Sequence, residues 1–111
     1  MFPIEKQGAV CVARPQTPLT GDVCSQFAES VFAALGSGRP MLVVDLHNVP
    51  LVDSTGLETL VDLGKRVEGR GGAMKLAAIN SLCCDILRVT GVGDQFEQHT
   101  HVKQAVGSFA E

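Results

Sequence analysis

The stretch Val52-Asp53-Ser54-Thr55-Gly56-Leu57 decides the fold, because it joins two segments of different periodicity. Upstream, Met41-Leu42-Val43-Val44-Asp45-Leu46 is a short apolar run with β-branched residues, the pattern of a strand buried on both faces. Downstream, Leu57, Leu60, Val61, Gly64 and Val67 recur at helical spacing, with Glu58, Asp62, Lys65 and Arg66 on the other side. A strand feeding a helix in this way places Ser54 beside free backbone N–H groups and the positive end of a helix dipole. Such a place tolerates added negative charge, so Ser54 is a candidate phosphorylation switch.

Outward from this junction, strands alternate with helices. Two short strands, near Phe2 to Lys6 and Ala9 to Ala13, are turned by Gln7-Gly8, and the prolines of Arg14–Pro18 mark a loop. A helix from about Asp22 to Leu35 carries Val23, Phe27, Val31, Ala34 and Leu35 and stops at Gly36-Ser37-Gly38. The central helix spans Ser54 to Glu68; glycines at 69, 71 and 72 then turn the chain into a strand from Met74 to Ile79. Ser81 is the expected cap of a helix bearing Leu82, Cys83, Ile86 and Leu87 and ended by Gly91. Gln95 to His99 is polar around Phe96, which suits an edge strand. Val102, Ala105, Val106 and Phe109 then define a last helix, with Thr100 as its expected cap. Strand–helix alternation implies parallel pairs with right-handed crossovers, hence an α/β fold over residues 1–111 as one domain.

Composition narrows the function. At 111 residues with 45% hydrophobic content, the chain can bury a core. Nine basic against twelve acidic residues give a net charge of -3 without a basic cluster, which argues against a nucleic-acid partner. No apolar run approaches the ~20 residues that span a bilayer, and Met1 to Lys6 lacks the pattern of a signal peptide, so a cytoplasmic location is expected. Among the four cysteines, Cys11 and Cys83 fit core positions and Cys84 an exposed one. His99-x-His101 has no complementary ligand pair at metal-site spacing, so no metal is expected. No glycine loop for phosphates and no G-x-S-x-G elbow occurs, so neither a cofactor nor catalysis is expected.

The residues of Asp53-Ser54-Thr55-Gly56 fit two accounts. One is a plain helix N-terminus, in which Thr55 is the cap and Glu58 completes a capping box. The other notes that a cap needs only one such residue while three occur in a row, leaving the Ser54 hydroxyl spare. The exposed charges from Glu58 to Arg66 are likewise either a solvated face or a partner surface.

The run from Val43 to Leu57, with Asp-Ser-Thr-Gly-Leu opening a helix, resembles the signature of the STAS family, the anti-sigma-factor antagonists. Leu19-Thr20-Gly21-Asp22-Val23, Gly69-Arg70-Gly71-Gly72, Ala78-Ile79-Asn80-Ser81 and Val89-Thr90-Gly91-Val92 extend the likeness over nearly the whole chain. The resemblance implies a small mixed sheet of about five strands with about four helices packed against it. It also implies that Ser54, directly after the aspartate, is the phosphorylated serine. Asp53, Thr55, Gly56, Glu58, Gly21 and Asp22 would then support the site or touch a partner. That partner would be an anti-sigma factor with serine kinase activity or, as the alternative, the ATPase subunit of a lipid-trafficking ABC transporter. Three departures stand out: Glu58 where the family often has glycine, Cys24 where an aspartate is common, and an apparent insertion at Arg14–Pro18. They bear on surfaces used for partner contact.

Overall fold

The computed structural model describes residues 2–110. Its strands are β1 (Ile4–Gln7), β2 (Val10–Ala13), β3 (Met41–Asp45), β4 (Ala73–Ala77) and β5 (Glu97–His99). Its helices are α1 (Val23–Leu35), α2 (Ser54–Gly69), α3 (Ser81–Thr90) and α4 (Val102–Ser108), with a 3-10 turn at Val92–Gln95 before β5. The strands form one mixed sheet in chain order, β1-β2-β3-β4-β5. Only β1 and β2 are antiparallel; β2 to β5 run parallel, with Cys11 opposite Leu42, Met41 opposite Ala73 and Lys75 opposite Glu97.

That order explains the layering. When each parallel strand lies beside its predecessor, right-handed crossovers carry every connecting helix to the same side. Phe27, Val31, Leu60, Leu63, Val67, Cys83 and Leu87 of α1, α2 and α3 accordingly pack with Leu42, Val44, Met74 and Leu76 in the larger core. The opposite face, Val10, Val12, Val43 and Ala77, is left to α4, which covers it with Ala105, Val102, Val106 and Phe109. β2 is buried throughout and β3 from Leu42 onward, as their apolar runs require.

Lys75 is a polar residue buried beneath α4. Its side chain is 11% exposed, its ammonium lies 2.9 Å from Glu97 Oε2 and 4.2 Å from the Phe109 ring centroid, and it donates to Ser108 Oγ. The Glu97 carboxylate also meets His99 Nε2. The His99 hydrogen bond, followed by that of Lys75, holds the Glu97 carboxyl well below its usual range, at about 2. A lowered folded-state value stabilises the fold above the ordinary carboxyl value of 4.5, and this contribution is lost as pH falls from there through about 2. Urea unfolding of the wild type should therefore show an acid-dependent loss that is diminished in Glu97→Gln; identical pH profiles would disprove the link.

Several boundaries differ from the sequence reading. The helix after Asn80 is capped by Asn80 rather than Ser81, since Asn80 Oδ1 accepts from Cys83 N at 2.9 Å. Thr100 is not the cap of α4: His101 holds that position, without a side-chain capping bond. β5 starts at Glu97 rather than Gln95, because the 3-10 turn takes the preceding residues. On α2 the buried stripe is Gly56, Leu60, Leu63, Gly64 and Val67, whereas Leu57 and Val61 are only half-buried at its rim.

Candidate functional site

The segment from Leu51 to Asp53 is tied to the loop before α1. Leu19 N donates to Leu51 O at 2.9 Å, Asp53 N donates to Leu19 O at 3.3 Å, and Leu19 pairs with Val52 as a parallel bridge. Asp53, in extended backbone at φ -90°, is the N-cap of α2. Its Oδ1 accepts from Gly56 N at 2.8 Å and its Oδ2 from Gly21 N at 3.3 Å. One carboxylate thus caps the helix and staples the Gly21 loop to it. Gly21 has φ +52°, a left-handed backbone that glycine adopts without strain. Asp22 follows at the start of α1, exposed and without a capping bond of its own.

The cap assignment corrects the sequence expectation for Thr55. An aspartate in extended backbone has its carboxylate aimed at the N–H three residues on, which starts the helix two residues before Thr55 could cap it. Thr55 is already inside the helix, where its carbonyl accepts from Thr59 Oγ1 at 2.8 Å. Ser54 and Thr55 are both exposed, in the first turn of the sixteen-residue α2. Asp53→Ala should therefore cost about 1–2 kcal/mol of stability, as for a good cap. Ser54→Ala and Thr55→Ala should each stay within about 0.5 kcal/mol, as exposed substitutions do. Urea unfolding of the three variants checks this; a Thr55→Ala loss equal to that of Asp53→Ala would reverse the assignment.

The family departures fall in different places. Glu58 is exposed one turn from Ser54 and adds a carboxylate to the same helix end. Cys24 is 1% exposed, and burial pushes its thiol pKa up, partly offset by a hydrogen bond with Thr59. It is a core residue, not a surface one, though it floors a groove of about 260 Å³ walled by Ser25, Thr55, Glu58 and Thr59. Arg14 folds back instead of projecting: it pairs with Glu5 at 2.7 Å and with Asp45 at 3.8 Å.

Sequence reasoning missed the part played by Asn80. Its Nδ2 donates to three carbonyls of the loop ahead of the site: Leu46 at 2.9 Å, His47 at 3.1 Å and Val49 at 2.8 Å. Asparagine before a helical segment is itself a capping signal, but nothing local shows that the other end of the amide reaches a distant loop. Among the described residues, no cluster of three or more His, Cys, Asp or Glu side chains could hold a metal ion, and no helix is long and apolar enough to cross a membrane.

The assembled site is an anchored helix N-terminus with two exposed hydroxyls, one capping carboxylate and a second acid one turn on. Among solved structures, the chain is similar to a candidate anti-sigma factor antagonist of Thermotoga maritima, with TM-score 0.91 and 22% identity over 99% of this chain and 95% of that one. The anti-sigma factor antagonist SpoIIAA in its unphosphorylated form gives TM-score 0.82 and 15% identity, over 99% and 96% of the two chains. The murine anion transporter Solute Carrier 26 family member A9 gives TM-score 0.80 and 22% identity, over 92% of this chain but 18% of the transporter. At such identities the likeness is one of fold. No curated protein sequence matches the chain. A profile of the STAS domain, in contrast, matches residues 1–107, from before β1 into α4. The chain belongs to the STAS domain family.

Proposed function

We propose that this protein is a phosphorylation-controlled binding module, an anti-sigma factor antagonist that docks on an anti-sigma factor with serine kinase activity while Ser54 is unmodified. The observation that carries the reading is the division of labour at the start of α2. Asp53 supplies the cap, so the exposed Ser54 hydroxyl is left for another use. The fold it shares with SpoIIAA supports the assignment. In this reading the chain is substrate rather than catalyst, and Gly21, Asp22, Thr55, Gly56 and Glu58 shape the surface around the modified serine.

Electrostatics supply the switch. A phosphate brings about -1.5 to -2 charges. Within the fold, the helix N-terminus favours such charge by about 0.3–1 kcal/mol. Across an interface the same charge joins Asp53 and Glu58, and its desolvation opposes association. Ser54→Asp should thus keep the wild-type circular dichroism spectrum and weaken binding to the anti-sigma factor, with phosphoserine weakening it further. Ser54→Ala should bind as wild type and stay in the binding state. Titration calorimetry, with peptide mapping after incubation with kinase and ATP, tests both halves. Unchanged affinity of the phosphoprotein, or phosphate placed elsewhere than Ser54, would overturn the switch. The fold shared with part of an anion transporter supports a second reading, constitutive docking on the ATPase subunit of a lipid-trafficking ABC transporter. Wild-type affinity of Ser54→Asp for such a subunit would favour it.

A further inference from the structure

Among the described residues, one face of α2 is only partly covered. Leu57 and Val61 are half-buried there and, with Val92 of the 3-10 turn, line an open groove of about 300 Å³ whose rim carries Glu58, Asp62 and Lys65. Asp62 is engaged by Arg66 at 3.7 Å. Glu58 and Lys65 are exposed, and among the described residues neither belongs to an ion pair. They stand seven residues apart, so they share a helix face and are separated by about 10.5 Å along the axis. Val61 and Asp62 lie at the midpoint between them.

We propose that this face is a homodimer interface in which two copies of α2 pack antiparallel about a two-fold axis passing between Val61 and Asp62. The pattern is its own complement. A two-fold axis at that point sets Glu58 of each copy opposite Lys65 of the other and brings the two Val61 side chains together beside Leu57 and Val92, while the two Asp62 carboxylates that also meet there each keep Arg66 of their own chain as counter-ion. A different partner would have to present the same apolar centre between charges of reversed order; a second copy, turned over, already does. Because the arrangement is isologous it closes at two chains and does not propagate. The apolar centre is small and the charge pairs are rim-exposed, so the dimer is a weak one, loosened further by salt.

Sedimentation equilibrium of the whole chain over a concentration series at low salt tests the proposal. The weight-average mass should climb from one chain toward two with rising concentration, and the climb should shrink when salt is added. Glu58→Lys and Lys65→Glu should each reduce dimerisation at least tenfold, because each places like charges opposite one another. The double variant Glu58→Lys/Lys65→Glu should restore it, since the order is merely reversed. Circular dichroism on all three guards against misfolding, and both sites are exposed. A single-chain mass at every concentration would overturn the proposal. So would a dimer indifferent to the single swaps, or one that the double swap fails to restore.

Discussion

Gly56→Ala should destabilise the fold severely, although alanine is the better helix former by about 1 kcal/mol. A β-carbon at position 56 would lie 2.1 Å from the Leu19 carbonyl oxygen and 2.7 Å from Val52 Cγ1. The first obstacle is backbone, and it is held in place, since that same carbonyl accepts from Asp53 N. Relief requires moving the Leu19 segment off α2, which breaks the pairing of Leu19 with Val52 and the Gly21 bond to Asp53. Overpacking a closed site costs typically 1–3 kcal/mol and occasionally more; with backbone as the obstacle, a loss of about 3 kcal/mol or more is expected. Against a typical total stability of about 5–15 kcal/mol, that is a large share. Urea unfolding decides the matter: a variant within about 1 kcal/mol of wild type would mean that the loop yields freely. Ser54 would then sit on a movable platform.

Asn80→Ala is the second substitution expected to act strongly. The amide nitrogen has two hydrogens for three carbonyls, so at least one bond is shared, and the oxygen caps α3. Removing it costs about 1 kcal/mol for the cap and about 1 kcal/mol for each half-buried carbonyl that loses its donor. A total near 3 kcal/mol is expected. Asn80→Asp separates the two parts, because it keeps the capping oxygen while turning an anion toward three carbonyl oxygens. It should be destabilised as severely as alanine. Near-wild-type stability of Asn80→Asp in a urea titration would show that the cap alone matters. Since the held loop runs through Val49 into Asp53, survivors of either substitution should also bind a partner less tightly.

The alternation of apolar strands and amphipathic helices was legible because period and burial agree there. The β3 run is buried on both faces, and α1 and α2 bury Phe27, Val31, Leu35, Leu60, Gly64 and Val67 of the stripes expected for them, while Val23, Ala34, Leu57 and Val61 are only half-buried. The caps were less legible. Asp53, Ser54 and Thr55 are all competent caps, and the choice among them follows from backbone angles and from Gly21, thirty-two residues away. At Asn80 and Ser81 two good caps are adjacent, and the one that also reaches the Leu46–Val49 carbonyls takes the position. Lys75 looked like an ordinary strand residue; its burial comes from α4, whose side of the sheet was not fixed by periodicity. The half-exposure of Leu57 and Val61 was hidden for the same reason, since helical spacing marks a stripe but not its edges.

The two outer strands decide how this sheet behaves in company. β1 is four residues long and shows Glu5 and Lys6 to solvent; β5 is three residues long and carries Glu97 and His99. A foreign strand laid against either edge would find few backbone groups to satisfy and would crowd charges already engaged, Glu5 by Arg14 and Glu97 by Lys75. Short, charged margins of this kind discourage edge-to-edge growth. Fibril-like stacking is thereby blunted at both ends of the sheet, and the surfaces left open to other chains are its two helix-covered faces.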